Sequence, residues 1–230
     1  MMGPTRILLV DDHAIVREGY RRLLEGEPSI RVVGEASDAS RACQSVRTLS
    51  PDVVVMDIAL PGTSGIDATR RMLKDQPQLR ILIFSMYDDA IYSSRALEAG
   101  AHGYISKASA PEVLVKAIYA VSRGEGYLSP DVAANLARSA IQPGRAEIAA
   151  LTPREFEVLR LLVQGETVRS IGEKLGLSEK TVANHQSAIR EKLGARNSAQ
   201  LTRLAAQIGL VGYLPTGTAD VSRVRCNTPK

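Results

Sequence analysis

Five short, mostly apolar runs, each followed by an amphipathic stretch, limit what the first half of this chain can fold into. They are Arg6-Ile7-Leu8-Leu9-Val10, Ile30-Arg31-Val32-Val33, Val53-Val54-Val55-Met56, Ile81-Leu82-Ile83-Phe84 and Gly103-Tyr104-Ile105. Continuous rather than alternating apolar residues mark strands covered on both faces. Helical periodicity fills the gaps at 14–25, 38–48, 65–75, 88–98 and 111–122, with Gly100 and Gly124 as stops and Pro111 in a first turn. Five βα repeats predict an α/β, doubly wound, five-stranded parallel sheet over residues 1–122. Ligand chemistry in such a sheet sits at the carboxyl ends of its strands.

Past Arg123 the pattern changes. Gly124, Gly126, Pro130, Pro143 and Gly144 punctuate residues 123–148, which read as a linker holding one short helix near 132–139. Residues 149–212 carry no strand signal and predict a small all-α, four-helix domain. Thr152-Pro153-Arg154-Glu155 is a capping box with proline at the first helical position, and this helix stops at Gly165. A second helix stops at Gly176, and Ser178 caps a third that stops at Gly194. Asn197, with Gln200 three residues on, opens the fourth, whose Leu201, Leu204, Ala205 and Ile208 share one face. Residues 213–230 read as a flexible polar tail.

Composition narrows the function class. With 44% hydrophobic and 23% charged residues, the chain has the balance of a soluble globular protein. Its two cysteines, Cys43 and Cys226, lack metal spacing and are too few for a disulfide framework, so a reducing cytoplasm is expected. No apolar run is long enough to span a bilayer, and Gly3-Pro4 before the first strand argues against an export segment. Residues 1–122 hold 14 Lys and Arg against 15 Asp and Glu, whereas residues 123–230 hold 15 against 10. The helical half is therefore the one suited to an anionic partner.

Asp11 and Asp12 close the first strand and Asp57 the third. Three carboxylates in one crevice repel unless a cation joins them, and hard oxygen ligands favour Mg²⁺. Ser85 ends the fourth strand and Lys107 follows the fifth, at the same edge. One carboxylate can attack a phosphoryl group while metal and lysine neutralise its oxygens. Asp11-Asp12, Asp57 within Met56-Asp57-Ile58-Ala59-Leu60-Pro61-Gly62, Ser85, Tyr104 and Lys107 resemble, in order and spacing, the flavodoxin-like receiver domain of bacterial two-component response regulators. The resemblance implies that Asp57 accepts phosphate from a sensor histidine kinase. It also implies that Asp11, Asp12, Asp57 and the Ala59 carbonyl hold Mg²⁺. Ser85 and Lys107 would bind phosphoryl oxygens, and Tyr104 would be an aromatic switch turning inward on activation.

In the third C-terminal helix, Val182, Ile189 and Leu193 form an apolar stripe opposite Lys180, Ala183, Asn184, Ser187 and Arg190. Such a polar, partly basic helix after a short turn fits the major groove of DNA. The strings Leu151-Thr152-Pro153-Arg154-Glu155, Ile171-Gly172-Glu173-Lys174-Leu175, Ser178-Glu179-Lys180-Thr181-Val182-Ala183-Asn184-His185 and Glu191-Lys192-Leu193-Gly194 resemble the LuxR-type effector of the NarL/FixJ group. The likeness implies phosphate contacts from Lys180, Thr181 and Lys192. It places Ala183, Asn184 and Ser187 at base-reading positions, and implies a homodimer on double-stranded DNA, paired through the fourth helix.

Rival readings fit less well. Haloacid-dehalogenase-like phosphatases need an acid two residues after the nucleophile, where this chain has Ala59. A small-molecule sensor would not require Asp11, Asp12, Asp57 and Lys107 together. A dinucleotide enzyme needs a glycine-rich loop where Asp11-Asp12-His13 stands. The sequence therefore reads as a transcription regulator, not an enzyme.

Overall fold

The computed structural model describes residues 3–139 and 150–207. The first ten elements alternate: β1 (Thr5–Val10), α1 (Ala14–Glu25), β2 (Ile30–Ala36), α2 (Ala39–Leu49), β3 (Val53–Met56), α3 (Gly65–Asp75), β4 (Arg80–Ser85), α4 (Ala90–Glu98), β5 (Gly103–Ser106) and α5 (Pro111–Ser122). Successive residues of one strand point to opposite faces of the sheet, so the apolar runs of β1, β3, β4 and β5 each feed two cores. Leu8, Val10, Val54, Met56, Ile81 and Ile83 pack with Val46 of α2, Ile66 and Met72 of α3 and Tyr92 of α4. Ile7, Leu9, Val53, Val55, Leu82 and Phe84 pack on the other face with Leu24 of α1 and Leu114, Ile118 and Val121 of α5.

The sheet has six strands rather than the expected five, in the order β2-β1-β3-β4-β5-β6 and parallel throughout. Gly124, at φ +82°, turns the chain back after α5. β6 (Tyr127–Leu128) then pairs with β5 through Gly103↔Tyr127 and Tyr104↔Leu128. α6 (Pro130–Ser139) follows; Val132 is fully buried, and the Asn135 side-chain amide donates to the Asp88 carbonyl at 2.7 Å. Residues 127–139, expected to belong to a linker, thus pack onto the sheet unit. Two residues are too short a strand to register as a periodic signal. Pro143 and Gly144, the rest of that stretch, and the tail at 213–230 lie outside the described residues.

The helical unit comprises α7 (Pro153–Val163), α8 (Val168–Leu175), α9 (Glu179–Lys192) and α10 (Ser198–Gln207). Its core gathers Phe156, Val158, Leu159, Ile171, Val182, Ile189 and Leu201. The Thr152 capping box forms in full: the Thr152 hydroxyl accepts from the Glu155 N–H, and the Glu155 carboxylate accepts from the Thr152 N–H. Ile208, the last residue of the expected α10 stripe, lies outside the described residues. Among the described residues, no helix is long and apolar enough to cross a membrane.

Because Val132 is sealed against the sheet unit, Val132→Ala should lower unfolding stability by about 1–3 kcal/mol, from lost methyl transfer plus the cavity left behind. Arg138→Ala, on the exposed side of α6, should change it by no more than about 0.5 kcal/mol. Urea unfolding of the full chain measures both; equal, negligible effects would mean that α6 does not belong to the sheet unit's cooperative core.

Candidate functional site

Strand order builds the acidic site. β1 and β3 are neighbours with Val10 opposite Met56, so the next residues, Asp11 and Asp57, leave the sheet side by side. The Asp57 N–H donates to the Val10 carbonyl at 2.9 Å, and the Asp11 N–H donates to the Ala36 carbonyl at 3.1 Å. Ligand atoms of Asp11, Asp12, His13 and Asp57 all lie within 4.8 Å of one another. Lys107 reaches them from the end of β5. Its N–H donates to the Ser85 carbonyl, and its Nζ lies 2.5 Å from Asp11 Oδ2 and 2.6 Å from Asp57 Oδ2. These three side chains are 6–8% exposed for Lys107 and Asp11 and 4% for Asp57.

Burial raises the Asp57 pKa, against the opposing pull of Lys107. Burial also disfavours the Lys107 charge, but Asp57 and Asp11 outweigh it and hold the ammonium above its ordinary value. The direction that governs the site is that of the lysine, because each of its two short contacts is to a carboxylate. Three carboxylates and one ammonium leave a net charge of about −2, which suits one hard divalent cation among oxygens and water. Asp12 keeps a third of its side chain exposed and pairs with His13 Nδ1 at 2.7 Å. Asp11, Asp12 and Asp57 are thus the carboxylates that fit such an ion.

The remaining expected residues surround Asp57. The Ala59 N–H donates to Asp57 Oδ1 at 3.3 Å. Ser85 and Tyr104 are fully buried. Ser85 Oγ accepts from the Tyr87 N–H at 3.3 Å, and the Tyr104 hydroxyl donates to the Tyr87 carbonyl. Tyr104 therefore already points inward in this state. One residue that sequence reasoning missed is Gly65, the first residue of α3. A Cβ there would stand 1.9 Å from the Asp57 carbonyl oxygen. Only a residue without a side chain lets α3 start directly behind the acidic turn.

The helical unit forms the expected helix-turn-helix. Gly176 ends α8 in the left-handed region at φ +62°, and the Leu177 N–H returns to the Gly172 carbonyl at 2.8 Å. Ser178 caps α9 by accepting from the Thr181 N–H at 3.1 Å. Lys180, Ala183, Asn184 and Ser187 are exposed, and Thr181 is half-buried. Ser187 Oγ donates to the Ala183 carbonyl at 3.1 Å. Lys192 stands apart from that face, its ammonium 2.6 Å from Glu155. Arg190, expected on the polar face, is half-buried.

The two units touch through α4, the loop before it and α7, and Gly176 at the helix-turn-helix turn lies against Pro61 and Gly62 of the loop after β3. Tyr92 meets Phe156 edge-on at 4.9 Å, and the Arg95 guanidinium lies 5.1 Å from the same ring. Arg160 stacks 4.1 Å above Tyr87 and donates to its hydroxyl at 2.7 Å. Tyr87 itself stacks on Tyr92 at 4.6 Å. The outer face of α9 is left open to solvent by this contact.

A parallel α/β unit with an acid cluster and lysine at its strand ends, joined to a helix-turn-helix, defines a class of signal-responsive regulators. Residues 7–119 match the response regulator receiver domain, and residues 149–205 match the luxR family of bacterial regulatory proteins. The Escherichia coli (strain K12) response regulator UvrY is 38% identical over 206 residues, covering 89% of this chain and 94% of UvrY. A LuxR-family two-component response regulator of an Aurantimonas species superposes with TM-score 0.59 at 48% identity, over 61% of this chain and all of that one. RcsB of Salmonella enterica serovar Typhimurium, solved bound to promoter rprA with the phosphomimetic BeF3-, gives TM-score 0.62 at 28% identity, over 89% of this chain and 99% of RcsB. The chain belongs to the LuxR-type response regulators.

Since the Gly65 site has no room for a methyl, Gly65→Ala should destabilise the protein by about 1–3 kcal/mol or more through forced backbone movement. Gly19→Ala should act in the opposite direction. Gly19 lies exposed within α1 with nothing within 4 Å of a built Cβ, so alanine should stabilise by up to about 1 kcal/mol. Denaturant midpoints of the two variants check the pair of signs.

Proposed function

We propose that Asp57 is the phospho-acceptor of a transcription factor driven by a sensor histidine kinase. The observation that carries this is the bridge from Lys107 to both Asp57 and Asp11 at the mouth of the sheet. In the transfer, a carboxylate oxygen of Asp57 bonds to phosphorus while the bond from phosphorus to the donor's histidine nitrogen breaks, leaving its electron pair on nitrogen. Mg²⁺, held by Asp11, Asp12, Asp57 and the Ala59 carbonyl, would offset the charge of the incoming phosphoryl oxygens. Lys107 and the Ser85 hydroxyl take those oxygens once the acyl phosphate forms, and Tyr104 packs beside Ser85 as the switch residue. With no acid at position 59, turnover is not the purpose of the site; the phosphorylated state is the product that matters.

The output is sequence-specific binding of double-stranded DNA by α9, as a homodimer, in the cytoplasm. Lys180, Thr181 and Lys192 contact phosphates, and Ala183, Asn184 and Ser187 face base edges. RcsB bound to a promoter with a phosphomimetic supports coupling of the same two halves here. Because the α9 reading face is solvent-exposed while the two units touch, phosphorylation acts by pairing two copies rather than by uncovering the helix. Lys192 must exchange Glu155 for a phosphate on binding, so its contribution is smaller than that of Lys180.

Incubated with labelled acetyl phosphate, the protein should incorporate phosphate at Asp57 only when a divalent cation is present. Asp57→Ala should abolish incorporation, and Asp12→Ala should raise the cation concentration needed. Undiminished labelling of Asp57→Ala would place the acceptor elsewhere.

For DNA, Lys180→Ala should weaken binding to every duplex alike and reduce the salt dependence by roughly one charge per subunit. Asn184→Ala should flatten the preference for a selected site by about 1–3 kcal/mol, since an amide pairs with adenine in bidentate fashion. Titrations of selected and scrambled duplexes at several salt concentrations separate the two; equal losses on both duplexes for Asn184→Ala would remove it from base reading.

A further inference from the structure

We infer that Arg17 is a positioning residue for the acidic site, acting on Asp11 and Asp12 through the peptide group that joins them. Arg17 lies in α1, six residues past Asp11, with its side chain only 16% exposed. Its Nη1 donates to the Asp11 carbonyl at 2.5 Å, and its Nε donates to Glu35 Oε2 at 2.9 Å. Glu35, on β2, is gripped from its other oxygen by Arg21 at 3.1 Å. The guanidinium is therefore a rigid strut between β2 and the turn that follows β1.

The consequence is local and geometric. The Asp11 N–H is fixed by Ala36, its Oδ1 accepts from the His13 N–H at 2.8 Å, and its Oδ2 takes Lys107. Arg17 supplies the remaining partner, to the carbonyl. That carbonyl belongs to the peptide plane linking Asp11 to Asp12, so the bond sets where Asp12 leaves the backbone relative to an Asp11 carboxylate held by His13 and Lys107. Without it the plane can rotate, and the Asp12 oxygen swings away from the Asp11 and Asp57 oxygens meant for the same cation. Groups that orient metal-directed side chains without touching the ion typically change affinity by about 10–100-fold when removed.

Position and charge predict opposite signs here, which makes the role decidable. Arg17 is a cation near a cation site, so a purely electrostatic effect of removing it would tighten Mg²⁺ binding. Its pairing with Glu35 already cancels most of that field. A positioning role instead requires that Arg17→Ala weaken Mg²⁺. Arg17→Lys should weaken it too, because an ammonium keeps the charge but cannot span both partners with a planar fork.

The inference rests on Asp11 and Asp12 being the metal carboxylates, and calorimetric titration of the full-length chain with MgCl₂ tests the two ideas separately. If the wild type takes up no Mg²⁺, the metal reading fails and the positioning role fails with it. If it does bind, Arg17→Ala should raise Kd about tenfold or more, and Arg17→Lys at least severalfold. Acetyl phosphate labelling of both variants should recover at saturating Mg²⁺. Should Arg17→Ala not fold, Arg17→Lys, which keeps the aliphatic stem and charge, carries the same test. A variant that melts lower yet binds Mg²⁺ with unchanged or tighter Kd would overturn the positioning role.

Discussion

The ammonium of Lys107 holds together a site that would otherwise push itself apart. Two buried carboxylates a few ångströms from each other repel by several kcal/mol at the effective dielectric of a protein interior. The sheet forces the approach, because β1 and β3 are hydrogen-bonded neighbours and both end in aspartate. Lys107 arrives from two strands away, anchored by its own N–H on the Ser85 carbonyl. The site therefore has three strands as its supports. Its unfavourable electrostatics is tolerated because the two aliphatic cores beneath it are extensive and close-packed.

From that site a continuous set of contacts leads to the second unit. Ser85 accepts the Tyr87 N–H, Tyr104 bonds the Tyr87 carbonyl, and the Tyr87 ring carries Arg160 of α7. Asp88, next in sequence, accepts from Asn135 of α6 through its carbonyl. The segment between β4 and α4 is thus shared by the acidic site, the sixth βα repeat and the DNA-binding unit. If Ser85 moves toward a phosphoryl group, as the proposed function requires, these contacts connect that movement to all three, because packed side chains rearrange together rather than one at a time.

Much of this was legible from residue order alone. The aliphatic runs, the capping box at Thr152 and the glycine stops mark elements through local effects, each confined to a few neighbouring residues. The acid trio and Lys107 were readable because a parallel sheet sends every strand's carboxyl end to one edge. Gly65 was not, since its importance lies in a close approach to Asp57 that no spacing announces. Arg17 escaped for a similar reason: it reads as one more charge on an amphipathic helix, and its partner is a backbone carbonyl.

The sequence by itself determined the classes of its two halves, where most helices and strands start and stop, and that Asp11, Asp12, Asp57 and Lys107 meet at one edge of the sheet. Only the tertiary structure decided that residues 127–139 close the sheet with a sixth strand and helix. It likewise decided that Lys192 turns to Glu155, and that the receiver meets α7 while α9 stays open. The division has a physical cause. Periodicity and capping are enforced between residues a few positions apart, whereas these outcomes depend on small free-energy differences between contacts joining residues distant along the chain.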